Sequence, residues 1–410
     1  MSTALRPSAC PGLLRIVQAL DGGICRIKLN GGSINAAQAE TVADAAERFA
    51  GGVIEATNRA NLQIRGVGSA HGALIDSLMA AGLGPSSAAG DDVRNLMLSP
   101  GAGIDRQMLI DTRPLAEQVL VTLQSDERFH DLSAKFAVQL DGGEGLAMLE
   151  HPHDLWLSAT ERDGERVYVF GLAGRLVDSP AGAVSLQRGH ALVVAVLDLF
   201  LELARPDQTR MRHLLTECPL GTFLARLAER VPLMPVDGWQ REAIPGVLHI
   251  GTHRQRDAGR VYIGAVPPLG RLTPEMLRGA AQLAREHGDG TLRFTPWQSL
   301  IVPGVHGDDA PHVIHNLEHL GLRCSPDDAL AHLIACTGAT GCAKGLADTK
   351  GDARQLAALL QRHGQTLNVH LSGCPRSCAA VHIAPVTLLA VSPGHYDLYF
   401  RDAAQPGFGA

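Results

Sequence analysis

The chain has 410 residues, 45% apolar and 19% charged, a globular composition long enough for roughly two to four cored domains. Its net charge of −6 excludes the basic excess expected of a nucleic-acid binder. Eight cysteines, in a chain whose start (MSTALRPSACPG) lacks the apolar stretch of a secretory signal, are expected to be reduced thiols of a cytoplasmic protein.

The first elements belong to a repeat. Residues 32–67 align without a gap on residues 270–305, at a constant offset of 238. Gly32, Gly52, Thr57, Leu62, Gly66 and Val67 meet Gly270, Gly290, Thr295, Leu300, Gly304 and Val305. Each copy reads as helix, glycine turn, strand, short kink, strand. Asn35 and Thr273 occupy N-cap positions, Pro274 suits a first helical turn, and Gly51, Gly52 and Gly288 stop the helices. So long a period implies duplication of a half-protein, not a solenoid.

Within the first copy, TNRANLQIR counted by two places Thr57, Arg59, Asn61, Gln63 and Arg65 on one strand face, with Ala60, Leu62 and Ile64 toward the core. The second copy has Thr295, Trp297, Ser299, Ile301 and Pro303 there. One copy thus keeps a cationic face that the other lacks. The face is a candidate binding surface, or else an ordinary solvated strand. The following GVGSAHG (66–72) does not fit a dinucleotide fingerprint and reads as a turn.

Helices are expected over 72–83 and 311–322, each ending in Gly-Leu. In the second, Val313, Leu317 and Leu320 form the core face, which leaves His312, His315, Glu318 and His319 solvated. DDVRNLMLSPGAGID (91–105) sets Arg94 before a Gly/Pro loop, as a surface or a functional arginine. LSAKFAVQL (132–140) sets Lys135 in an apolar strand, at an edge or aimed into a cleft, and HPHD (151–154) reads as a polar loop. HALVVAVLDLFLELA is interrupted by Asp198 and Glu202, too short to span a membrane, and reads as a buried amphipathic helix. VPLMPVDGWQREAIPG (231–246) is the expected linker between halves.

The last segment runs CTGATGC loop, helix DARQLAALLQRHG, strand TLNVHL, loop SGCPRSC, strand PVTLLAV. Asp352 is the expected N-cap, with Leu356, Leu359 and Leu360 on one face and Gly364 as the stop. Cys336, Cys342, Cys374 and Cys378 are spaced C-x5-C, 31 residues, C-x3-C. Four thiolates in two loop pairs suit an iron–sulfur cluster. A zinc site, which favours shorter spacings and often histidine, and thiols that never meet are the alternatives. Cys10, Cys25, Cys218 and Cys324 are isolated and read as small apolar residues.

Together these motifs resemble the siroheme nitrite/sulfite reductase family over nearly the whole chain. TNRANLQ resembles its T-x-R-x-x-x-Q strand, VRNLMLSPGAGID its V-R-N…S-P-x-A-G-x-D loop, LSAKF its lysine-bearing stretch, and ACTGATGC…SGCPRSC its cluster signature. The resemblance implies an α+β fold of two pseudo-symmetric halves, each a ferredoxin-like half-domain plus an α/β nitrite/sulfite-reductase-type domain. The boundaries expected are 10–70, 71–230, the linker 231–246, 247–307 and 308–402. It further implies a [4Fe–4S] cluster on Cys336, Cys342, Cys374 and Cys378. Arg59, Arg94 and Lys135 become catalytic cations facing a tetrapyrrole, and Thr57, Asn61, Gln63 and Arg65 line the substrate. Ala137 departs from the second lysine of the family's sulfite reducers.

The stretch ACPGLLRIVQALDGGICRIKLNGG resembles the precorrin-3B synthase branch of that family. This implies an O2-dependent monooxygenase that hydroxylates precorrin-3A at C20 and closes a γ-lactone. It also implies a mononuclear non-haem iron, whose ligands the sequence does not identify, and NADH as electron source through a separate reductase. A siroheme-dependent nitrite or sulfite reductase and a non-redox, zinc-stabilised tetrapyrrole-binding protein are the other two readings. No membrane partner is expected.

Overall fold

The computed structural model describes residues 10–236, 238–243, 246–380 and 384–401. They form two compact units: Ile16–Leu83 with Gly246–Ala410, and Met1–Arg15 with Gly84–Pro245.

The first of these units holds both copies of the repeat. The helices Ala36–Phe49 and Pro274–His287 begin where the sequence expects them: the Asn35 side chain accepts from Gln38 N–H, and Thr273 accepts from Met276 N–H. They pack on each other, and the buried residues of each are mostly small: Ala39, Val42, Ala43 and Ala46 in one, Leu277, Ala280, Ala281 and Ala284 in the other. Alanine faces let two backbones approach closely.

Each helix lies with a five-stranded antiparallel sheet. One runs Val17–Ala19, Gly22–Ile27, Leu62–Val67, Val53–Ala56, Arg271–Leu272; the other runs Gly251–Arg254, Arg260–Ala265, Leu300–His306, Thr291–Phe294, Ser33–Asn35. The last strand of each sheet comes from the other copy, with Arg271 opposite Glu55 and Ser33 opposite Arg293. The exchange covers an edge that would otherwise be open.

The duplication reaches individual torsion angles. Left-handed φ recurs at Gly52 and Gly290 (69° and 81°), Ala60 and Gln298 (55° and 62°), and Gly66 and Gly304 (75° each). Gly66 and Gly304 are there by necessity: a Cβ would stand 2.9 Å from the backbone N of Gly51 or of Asp289. Ala60 and Gln298 bear a side chain in a conformation that L residues rarely adopt, so the turns they close are held by their surroundings.

The same unit continues into a four-stranded sheet, Leu333–Ala335, Val369–Ser372, Val386–Ser392, His395–Phe400, with the first three strands parallel and the last antiparallel. The helix Thr349–Arg362 lies between the first two strands in sequence and packs on them with Ala353 and Ala357. It starts earlier than expected: Asp348 caps it by accepting from Gly351 N–H, so Asp352 falls in the first turn and accepts from the Tyr396 hydroxyl at 2.5 Å. Leu356 and Leu360 pack on the core, whereas Leu359 is exposed.

The second unit is built on the sheet Gly182–Ser185, Glu165–Gly174, His153–Arg162, Val138–Asp141, Leu96–Leu98. Its last three strands are parallel and its hairpin antiparallel. The helices Arg113–Ser125 and Gly189–Leu203 fill its core with Phe129, Phe136, Phe170 and Phe200. Asp198 and Glu202, which interrupt the most apolar segment, pair with Arg128, Arg226 and Arg230. Among the described residues no helix is long and apolar enough to cross a membrane.

Two expectations are corrected. Helix His71–Ala80 packs on Ala36–Phe49, so the break falls after residue 83 and not after 70. Of the expected linker 231–246, residues 237, 244 and 245 lie outside the described residues, and 231–236 and 238–243 are not a bare linker: Met234 pairs with Ala183, Trp239 stacks on Trp156 at 6.0 Å, and Arg241 pairs with buried Asp141 at 2.8 Å. The Pro and Asp composition suggested a linker, but two apolar anchors and one buried ion pair fix this segment to the second unit.

Candidate metal-cluster site

Both cysteine pairs begin where parallel strands end. Leu333–Ala335 and Val369–Leu371 pair in register, with Ala335 opposite Leu371, so Cys336 and Cys374 leave adjacent carboxyl ends. Open α/β sheets place ligands at this edge. The Cys336 N–H donates to Leu371 O at 3.2 Å, and the Gly373 N–H donates to Cys336 Sγ at 3.1 Å. Glycines make the loops fit: a Cβ on Gly345 would stand 2.5 Å from Gly338 C, and one on Gly373 3.3 Å from Cys336 Sγ.

The Cys378 thiol is pushed up by partial burial and then by Cys374, Cys336 and Cys342. A tetrahedral zinc site draws its donors onto one ion, whereas a cluster asks each thiolate to meet a separate iron. Among the described residues no three His, Cys, Asp or Glu side chains close on a single ion. Four soft thiolates, glycine-lined loops and an N–H aimed at sulfur fit a cluster.

The repeat supports these loops. Thr57–Asn61 and Thr295–Ser299 form equivalent turns, closed by Thr57 N–H to Asn61 O and Thr295 N–H to Ser299 O, both 2.9 Å. From them, Asn58 Nδ2 donates to Cys378 O at 3.2 Å and Gln298 Nε2 to Ala379 O at 2.8 Å. Both amides are buried. The sequence reading missed them because they sit at the kink of each copy, where counting by two does not apply.

That kink also corrects the expected cationic face. Residues 57–61 are a turn, so alternation holds only in Leu62–Val67. Thr57 Oγ1 accepts from Asn61 N–H, and Asn61 Oδ1 accepts from Leu29 N–H at 2.8 Å. Gln63 donates to Glu55 at 2.7 Å and accepts from Arg26. Arg65 is buried, forks onto Asp21 at 2.8 and 2.7 Å, and donates to Gly341 O at 3.2 Å. These four side chains are committed inside the protein. Arg59 is half-buried; its counterpart Trp297 stacks on His249 at 4.8 Å.

Beneath the Cys336–Cys342 loop lies a buried charge group the sequence reading missed. Glu55 accepts from Arg271 Nε at 2.9 Å and lies 3.6 Å from Arg65 and 3.9 Å from Lys350. Burial would raise its carboxyl, but Lys350, Arg65 and Arg271 hold it down at about 2. Burial pushes the Lys350 ammonium down to about 8, opposed by Glu55. A glutamate inside the apolar strand VIEA was the available signal.

In the second unit, Arg94 is buried and bonded to Asp91 at 3.1 and 3.2 Å, and Asp91 also accepts from Leu13 N–H. Lys135 is exposed in a turn before Val138–Asp141, not within a strand. HPHD is not a polar loop: His151, His153 and Asp154 are 1–2% exposed. Asp154 accepts from Ala137 N–H and pairs with Arg210 at 2.8 Å. His312, His315 and His319 are exposed, as expected. Cys25 and Cys324 are buried, and burial pushes the Cys324 thiol up to about 12; Cys10 and Cys218 are only half-buried.

Comparison with known proteins places this architecture. The nitrite/sulfite reductase ferredoxin-like half-domain matches residues 17–81 and 253–320, and the nitrite and sulphite reductase 4Fe–4S domain matches 89–233. The second match contains none of the four quartet cysteines. A chloroplastic ferredoxin–nitrite reductase of Zea mays is 31% identical over 397 residues, 88% of this chain and 68% of that protein. A precorrin-3B synthase of Sinorhizobium is 26% identical over 403 residues, 98% of this chain and 84% of that protein. The chain spans about two thirds of the length of the plant nitrite reductases it matches. The Mycobacterium tuberculosis NirA structure shares the fold, with a TM-score of 0.80 at 21% identity over 95% of this chain and 76% of that one. The duplicated half-domains and these matches show that the chain belongs to the nitrite/sulfite reductase family.

Proposed function

We propose that this chain is an oxidoreductase with precorrin-3B synthase activity, carrying a [4Fe–4S] cluster on Cys336, Cys342, Cys374 and Cys378. The observation that carries this reading is the match to the Sinorhizobium precorrin-3B synthase over 98% of this chain and 84% of that one. Ala137 supports it. Sulfite reducers of the family are expected to bear a lysine at that position, but here a small side chain is 5% exposed and its N–H is bonded to Asp154.

Cys336, Cys342, Cys374 and Cys378 would hold the cluster, which would supply electrons one at a time. Hydroxylation of precorrin-3A at C20 places one atom of O2 in the product. The other atom leaves as water with two electrons and two protons, and NADH oxidised by a separate reductase is their source. The acetate carboxyl then adds through one oxygen to C1 to close the γ-lactone, as the π bond at C1 opens and the carboxyl proton passes to the adjoining atom of the macrocycle. Arg59 and Lys135 are the candidates to meet the macrocycle's carboxylates, since a guanidinium fork and an ammonium both suit such groups. Arg94 acts as the buried partner of Asp91. The ligands of a mononuclear non-haem iron are left unassigned.

A second reading, a siroheme-dependent nitrite or sulfite reductase, is favoured by the 31% identity to the maize nitrite reductase. Incubating anaerobically purified protein with precorrin-3A, a reductant and 18O2 separates the two. A product heavier by one labelled oxygen supports the monooxygenase. Unaltered precorrin-3A together with nitrite or sulfite reduction supports the second reading.

A further inference from the structure

The Cys336–Cys342 loop is held at two backbone carbonyls and one side-chain hydroxyl by charged side chains. Lys350 Nζ donates to Ala335 O at 2.9 Å and to Leu269 O at 2.7 Å. Thr337 Oγ1 lies 3.5 Å from Glu55 Oε1. Arg65 donates to Gly341 O at 3.2 Å. Ala335, Thr337 and Gly341 are direct sequence neighbours of Cys336 and Cys342.

The charges do not cancel in depth. Lys350 and Arg65 side chains are each 5% exposed and Glu55 8%, whereas the outer partners Arg271 and Asp21 are 27% and 29% exposed. Solvent screens the outer pair more strongly. The deeply buried set is therefore two cations against one anion, immediately beneath the loop that bears two of the proposed cluster ligands. In a low-dielectric interior a fixed unit charge acts over several ångströms. Iron–sulfur potentials respond to net charge and hydrogen bonding around the cluster.

We propose that Lys350, Arg65 and Glu55 are positioning residues that fix the Cys336–Cys342 loop and bias the cluster toward its reduced form. The proposal rests on the reading that the quartet holds a [4Fe–4S] cluster. On reduction the cluster accepts one electron and gains one negative charge, the electron coming in the test from dithionite. A net positive neighbourhood stabilises that added charge and raises the midpoint potential. The carboxylate opposes it, so the two signs are separable by mutation.

The experiment is a mediated dithionite titration of the full chain, followed by electron paramagnetic resonance, for the wild type, Lys350→Met, Lys350→Arg and Glu55→Gln. Iron and acid-labile sulfide are measured first. Lys350→Met should lower the midpoint potential, Glu55→Gln should raise it, and Lys350→Arg should stay near the wild type. If Lys350→Met does not assemble a cluster, Glu55→Gln decides alone. Unchanged potentials, or shifts of one sign in both charge-removing variants, overturn the proposal. Wild-type chain without iron and sulfide removes the cluster reading itself, and this proposal with it.

Discussion

The sheet ending in Leu96–Leu98 and the sheet beginning with Leu333–Ala335 share one plan: two parallel strand pairs followed by an antiparallel hairpin. At the carboxyl ends of their first two strands the chemistry diverges. One sheet carries Cys336 and Cys374. The other carries Ser99, whose hydroxyl donates to Leu146 O at 2.6 Å, and Asp141, which is closed by Arg241. Glu144, beside Asp141 in that loop, is buried and its carboxyl is pushed well up by burial. The same strand ends thus hold soft donors in one unit and a buried, ion-paired polar plug in the other. The lesson is that this scaffold fixes where loops converge, and the loop residues decide whether a metal centre can form there.

The comparison breaks most severely at the thiols. Cys374→Ser should abolish bound iron and sulfide, while the unit of Gly84–Pro245 keeps its own unfolding transition; cluster content equal to wild type would refute the ligand assignment. The polar plug is tested next. Arg241→Ala leaves Asp141, 1% exposed, without its cation. Removing one partner of a buried pair costs about 3–5 kcal/mol, so urea unfolding of that unit should shift by that order while iron and sulfide stay constant. The smallest effect is a pH effect. Glu55 titrates near about 2 in the folded chain against an ordinary 4.5. Its lowered value contributes stability above 4.5 that is lost as pH falls toward 2. Glu55→Gln should flatten that part of the stability profile measured by circular dichroism.

The duplication was legible because glycines and caps recur at a fixed spacing, and the left-handed torsions at Ala60 and Gln298 show why that spacing is kept. The quartet was legible because its spacing is local to two loops. The exchanged strands Ser33–Asn35 and Arg271–Leu272 were not, because such short strands are defined by a partner far away in sequence. The burial of Arg65 was not legible, because its position is set by Asp21 and Gly341, which period-two counting does not contain. HPHD was misread for a related reason: Arg210 and Met211, more than fifty residues away, satisfy Asp154 and allow it to be buried. Lys135 lost its strand because regular pairing begins only at Val138.

We propose that the quartet carries a cluster and that the tetrapyrrole is a substrate and not a fixed prosthetic group. The absorption spectrum of anaerobically purified protein tests it most directly. A broad iron–sulfur shoulder, lost in Cys374→Ser, is expected without a Soret band. Intense Soret and siroheme bands in the purified chain would contradict it.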